Sequence, residues 1–119
     1  METTPLILTG TGVVALVLAL RTFFANRSGL SKEEIKALMD QGAMILDVRT
    51  PGEFSRGHAP GSRNVPLYRL PSQMKALDRS KPILVCCASG ARSAAAKAML
   101  DEAGFTQVRN AGSWQRVMS

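Results

Sequence analysis

Pro82-Ile83-Leu84-Val85-Cys86-Cys87-Ala88-Ser89-Gly90-Ala91-Arg92-Ser93 is the stretch that decides how this chain folds. Pro82 to Val85 is an apolar run that reads as a buried strand, and Ala94 to Leu100 reads as a helix. Between them stand two cysteines at the strand end, a loop of small residues and an arginine opening the helix. Such a loop is an anion cradle. Its amides point inward at a charged group, and the helix N-terminus adds positive potential. The same field favours thiolate over thiol, which is what a nucleophilic cysteine needs.

Working outward, the chain has 119 residues, which fits one domain and a short extension. Two adjacent cysteines make no disulfide framework, and a single histidine leaves no metal-ligand spacing. The expectation is therefore no metal and no cofactor. The net charge is +6, and it favours acidic partners, either anionic lipid headgroups or small anionic substrates. Six aromatics and no basic helix stripe argue against nucleic acid.

Thr3 to Leu20 carries no charge. As a helix these residues span about 27 Å, near the lower limit for crossing a bilayer. Basic residues follow the run (Arg21, Arg27, Lys32, Lys36) and Glu2 precedes it. The positive-inside rule then predicts a single-pass membrane protein with its C-terminal domain in the cytoplasm, touching lipid through this helix. Val17-Leu18-Ala19 also fits a cleavage site, so a secretory signal is one alternative and a soluble packed helix the other. The expected division is an N-terminal membrane anchor over 1–25, a linker over 26–30 and a globular domain over 31–119.

Ser31 and Glu34 have the spacing of a capping box, with Leu30 and Ile35 as a hydrophobic staple. Ile35, Leu38 and Met39 form the expected buried face, and Gly42 ends the helix. Ala43 to Arg49 reads as a central strand. Thr50, Pro51 and Glu53 then cap and start another helix. Asn64 to Leu67 reads as a short edge strand, because Pro66 lacks a donor. Ser72 to Leu77 reads as a short helix, with Met74 and Leu77 on one face. The second long helix is expected over 92–103, with Gly104 as its C-cap. Phe105 to Arg109 is expected as the last strand, with 110–114 turning away from it. Strands alternating with helices predict an α/β fold with an open, mostly parallel sheet flanked by helices. Ligands bind at the carboxyl ends of such strands, where Asp47-Val48-Arg49 and Cys86-Cys87 both end.

Three segments together resemble the rhodanese-like family. Leu46-Asp47-Val48-Arg49-Thr50-Pro51-Gly52-Glu53-Phe54 with Gly57-His58-Ala59-Pro60-Gly61 and on to Leu67 is similar to the family's first signature. Leu84 to Ser93 resembles its active-site strand and loop. Ala103 to Val108 with Gly112-Ser113-Trp114 resembles its closing segment. The match covers residues 31–116 or thereabouts, nearly the whole globular part. The resemblance implies a sulfurtransferase in which Cys87 takes a sulfane sulfur as a persulfide and a thiophilic acceptor, cyanide or another thiol, removes it. A protein acceptor also fits. The amides of Ala88, Ser89, Gly90, Ala91 and Arg92 would hold the persulfide, and Arg92 an anionic sulfur donor. Alanines at 88 and 91, where many relatives carry bulkier or charged residues, leave side-chain selection of the donor weak.

Other residues have plainer readings. Cys86 points to the opposite face of the strand from Cys87 and reads as core. Asp47 and Arg49 read as structural support, the carboxylate accepting loop amides or pairing with the guanidinium. His58 reads as a loop-stapling hydrogen bond. Ser89 either bonds the thiolate or holds the turn. Beside sulfur transfer and a redox role through Cys86 and Cys87 stand two further rival functions. One is a phosphatase or arsenate reductase using Cys86 and Arg92, which have five residues between them. The other is a rhodanese-like adaptor without turnover.

Overall fold

A computed structural model describes residues 12–17 and 29–118. The globular part opens with Ser31, whose hydroxyl accepts the Glu34 amide at 3.1 Å while its own amide donates to Glu34 Oε1 at 2.9 Å. This capping box starts helix α1 (Lys32–Asp40). Leu30 and Ile35 are both buried in one cluster, as a staple requires. Met39, expected on the buried face, is instead 37% exposed. The helix lies on one sheet face and Ile35 and Leu38 suffice to cover it.

Strand β1 (Met44–Asp47) leads to helix α2 (Pro51–Ser55), started by a second capping box between Thr50 and Glu53. Strand β2 is only Arg63–Asn64, shorter and earlier than expected. Pro66 ends it and opens a 3-10 turn at Leu67–Arg69. The expected helix over 72–77 is a broken ramp: helix α3 (Leu70–Gln73) and a 3-10 turn at Met74–Ala76. Pro71 starts it early, and buried Leu70 and Leu77 fasten its two ends. Strand β3 (Ile83–Cys87) is buried throughout, and helix α4 (Ala91–Glu102) follows.

The last strand differs most from expectation. Strand β4 is Val108–Ser113, so the predicted turn at 110–113 is sheet. Phe105 is held against α4, its amide donating to Leu100 O at 3.0 Å, and the chain reaches the sheet only at Val108. Val85 pairs with Asn110 but Cys86 with Gly112, so Ala111 is the extra residue of a β-bulge. Gly112 takes φ +84° there. A 3-10 turn at Trp114–Val117 closes the chain.

All strand pairs are parallel, in the order β2-β1-β3-β4. The α/β expectation therefore holds, with β3 central. Ile83, Val85 and Cys87 face α4 with Leu46, Val48, Ala96 and Leu100. Leu84 and Cys86 face the other way, with Ile35, Ile45, Ala111 and Val117. The chain leaves β1 toward one edge and β3 toward the other. The crevice at their carboxyl ends is thus the topological switch point of the sheet.

The membrane reading is corrected. Residues 1–11 and 18–25 of the expected anchor, and most of the expected linker, lie outside the described residues. Those described within the anchor, 12–17, are helical. Among the described residues no helix is long and apolar enough to cross a membrane. Hydropathy reports composition, and a run of apolar residues is not by itself a helix of spanning length.

Candidate functional site

Cys87 ends β3 at the floor of the switch-point crevice and is 1% exposed. Gly90 caps α4 with φ +113°, a left-handed conformation that glycine adopts without strain. This turn aims the Gly90 amide at Cys87 Sγ, 2.9 Å away. The Ser93 hydroxyl lies 3.4 Å from the same sulfur. Burial pushes the Cys87 thiol up, but the Ser93 hydroxyl and the amides of Ser93, Gly90 and Ser89 outweigh it and hold the pKa below the ordinary value of 9.0. Cys87 is therefore poised toward thiolate.

Cys86 has the opposite chemistry one residue earlier. Strand alternation turns it into the core, fully buried beside Asp47 in the register. Burial first, and the Asp47 charge second, push its thiol up to about 12. It stays protonated at neutral pH.

Ser93 is itself oriented. Its Oγ lies 2.7 Å from Asn110 Oδ1 and 3.1 Å from Gly90 O. Asn110 Oδ1 also accepts the Gly112 amide at 2.9 Å, and its Nδ2 donates to Gly90 O at 3.2 Å. The bulge in β4 thus delivers an amide side chain that ties the loop, α4 and the last strand together. Neither Ser93 nor Asn110 was a predicted site residue. Ser93 had a signal: with Ala96, Lys97 and Leu100 it shares the buried stripe of α4, and a hydroxyl on such a stripe needs a partner. Asn110 had none, because the bulge that places it is not written in the local pattern.

Arg92 stands in the first turn of α4 with a carboxylate already on it. Its Nη1 and Nη2 donate to Glu53 Oε1 and Oε2 at 2.7 and 3.0 Å. Glu53 comes from the first turn of α2, and the Arg92 guanidinium, ahead of the Thr50 cap, lowers its pKa to about 2. The loop side chains of Ala88, Ser89 and Ala91 face outward, exposed.

Asp47 and Arg49 come together, and neither hydrogen-bonds Cys87. Arg49 Nε and Nη2 reach the Asp47 carboxylate at 3.0 and 2.7 Å, and both residues are buried. Arg49 Nη2 also donates to Gly57 O at 2.7 Å, and the guanidinium lies 4.6 Å from the Trp114 ring centre. His58 stacks on Phe54 at 3.8 Å, with Nδ1 2.8 Å from Phe54 O, and makes no hydrogen bond to Cys87. Among the described residues no group of three metal-binding side chains converges.

The rhodanese-like domain family matches over residues 31–118. The chain belongs to the rhodanese-like domain family. Among curated relatives of this rhodanese-like chain is the thiosulfate sulfurtransferase GlpE of Stutzerimonas stutzeri, 38% identical over 76 residues, 64% of this chain and 70% of the relative. A rhodanese-related protein from Thermoplasma volcanium superposes with a TM-score of 0.65 at 32% identity, covering 73% of this chain and 86% of that one. The human single-domain sulfurtransferase TSTD1 gives a TM-score of 0.63 at 26% identity, covering 76% and 94%. The enzyme class expected from the sequence, a rhodanese-type sulfurtransferase, agrees with these relatives.

Proposed function

We propose that residues 31–119 form the catalytic domain, that residues 26–30 link it to the preceding segment, and that Cys87 accepts a sulfane sulfur and passes it on. The observation that carries this reading is the set of donors on one sulfur: the Gly90 amide at 2.9 Å and the Ser93 hydroxyl at 3.4 Å. With thiosulfate, the Cys87 thiolate attacks the outer sulfur. The sulfur–sulfur bond breaks and its electron pair leaves with sulfite, so Cys87 holds a persulfide. Cyanide or a thiolate then attacks the outer sulfur of that persulfide and restores the thiolate. The sequence is covalent catalysis in two steps. The amides of Ala88 to Arg92 surround the place where the extra sulfur and its charge reside, which is electrostatic stabilisation by fixed dipoles. Arg92 orients the donor, and Asp47, Arg49 and His58 hold the loops behind the site.

The test is intact mass of the full chain after thiosulfate, with and without cyanide, for the wild type, Cys86→Ser and Cys87→Ser. The expected result is a gain of about 32 Da, one sulfur, that requires Cys87 and that cyanide discharges. No adduct in any protein supports the adaptor reading instead. An adduct that requires Cys86 supports the phosphatase or arsenate reductase reading. Against that last alternative stands the protonated, inward-facing thiol of Cys86.

A further inference from the structure

Arg92 is the cation nearest in role to a substrate anion, and it is compensated before any substrate arrives. Both its terminal nitrogens sit on Glu53, and the two side chains keep 35% and 29% of their surface exposed at the crevice mouth. Glu53 is held from behind as well. Its Oε1 accepts the Thr50 amide at 3.1 Å and the Thr50 hydroxyl at 3.1 Å. This carboxylate is the return arm of the α2 capping box, so swinging off Arg92 would break its bonds to the Thr50 amide and hydroxyl. Arg49 offers no substitute, because Asp47 and Trp114 occupy it. Ala88 and Ala91 bring no charge. The Arg92–Glu53 pair at the mouth therefore sums to zero.

That balance matters for a thiolate nucleophile. Thiosulfate brings two negative charges to a sulfur that already carries one, and it must share Arg92 with a fixed carboxylate. An organic persulfide, R–S–SH, brings none or one. We infer that Glu53 is a specificity-determining residue that turns this site away from dianionic donors and toward low-charge organic persulfides. The inference rests on the reading of Cys87 as the sulfur acceptor. The Cys87 thiolate attacks the terminal sulfur of R–S–SH and the S–S bond breaks. The electron pair leaves with the alkyl thiolate, and the proton stays on the new Cys87 persulfide. No external oxidant or reductant is needed.

The experiment follows single-turnover sulfur loading of the full chain by mass, with thiosulfate or 2-hydroxyethyl persulfide as donor, for the wild type and Glu53→Gln. Glutamine keeps one oxygen for Thr50 and Arg92 Nη1, and removes the charge together with the acceptor of Arg92 Nη2. The variant is expected to load from thiosulfate with kcat/KM raised about three- to tenfold and from the persulfide with less than about a twofold change, the range of one partly exposed charge contact. Equal changes for both donors, or slower thiosulfate loading, overturn the inference while leaving Cys87 as the acceptor. Failure of both donors to load the wild type overturns the acceptor reading itself, and the inference with it. Circular dichroism checks that Glu53→Gln is folded, and the wild type gives a second reading independent of it: loading faster from thiosulfate than from the persulfide overturns the inference.

Discussion

The hydroxyl of Ser93 lies 3.4 Å from the sulfur of Cys87. A serine has one proton to give, and Asn110 Oδ1 competes for it at 2.7 Å. Gly90 O competes as well at 3.1 Å, and a negative charge on Cys87 strengthens the pull of the sulfur on that proton. Ser93→Ala removes the side-chain donor that most strongly lowers the Cys87 pKa. Its pKa should rise, and the pH profile of sulfur loading should move to the alkaline side. At neutral pH loading should slow by about tenfold or more, the worth of a hydrogen bond to a charged group. Loading at high pH should recover most of the rate. A profile identical to wild type removes Ser93 from the chemistry.

Asn110 acts through Ser93, so the two should not be additive. Asn110→Ala strands the Gly112 amide and loosens Gly90 O, at a cost of about 2 kcal/mol for a buried unsatisfied group. In a double-mutant cycle with Ser93→Ala, read by urea denaturation and by loading rate, the coupling should exceed about 0.5 kcal/mol. Additive effects mean that Asn110 is merely part of the bulge. Rescue of the loading rate by alkaline pH in Asn110→Ala separates a proton-positioning role from a structural one.

What the sequence disclosed, and what it did not, follows the range of the interactions. The two capping boxes span three residues each and were readable outright. That Cys87 and Cys86 face opposite sides of the sheet follows from strand alternation alone. The Arg92–Glu53 pair joins residues 39 apart, which no local pattern encodes, although an arginine at a helix N-terminus did call for a carboxylate or an anion. The start of β4 was misplaced because tertiary contacts of Phe105 delay the strand and a bulge extends it. Apolar composition over 3–20 does not determine helix length.

Glu53 links acid sensitivity to the mouth of the site. Its pKa falls from an ordinary 4.5 to about 2 through Arg92 and the Thr50 cap. A depressed carboxylate pKa stabilises the fold above the unfolded value, and that stability is lost as pH falls through the folded value. The wild type should therefore be more stable than Glu53→Gln above about pH 4.5, and the gap should close between there and pH 2. Urea midpoints for both proteins across this range check it. A gap that persists at pH 2 assigns the difference to packing rather than charge.

Arg49 is the clasp of the loops behind the site. It bonds Asp47 and Gly57 O while covering the Trp114 ring, all with 5% or less of its side chain exposed. Arg49→Met leaves the buried Asp47 carboxylate without its partner, which costs about 3–5 kcal/mol. Asp47→Asn orphans the Arg49 guanidinium instead, but that cation keeps Gly57 O and the Trp114 ring, so this variant should cost less. Chemical denaturation of the two variants should rank them in that order. The reverse order means that the guanidinium left without Asp47 is the costlier charge, and that the ring contact and the Gly57 bond do not compensate it.

Cys86 tests whether the neighbouring cysteines share the work. Its side chain is fully buried among Ile35, Ile45 and Ala111, and its thiol is pushed up to about 12 by burial. Cys86→Ala deletes one sulfur from that core, a loss of about 1 kcal/mol, or a Tm lower by about 4–8 °C in a domain of this size. Cys86→Ser should cost more, since it buries a hydroxyl with no partner in place of a weakly polar thiol. Sulfur loading at Cys87 should be unchanged in Cys86→Ala below its melting transition, with the same pH profile. A loading rate that drops while the protein remains folded, or an adduct that fails to discharge with cyanide, makes Cys86 a participant in the sulfur relay.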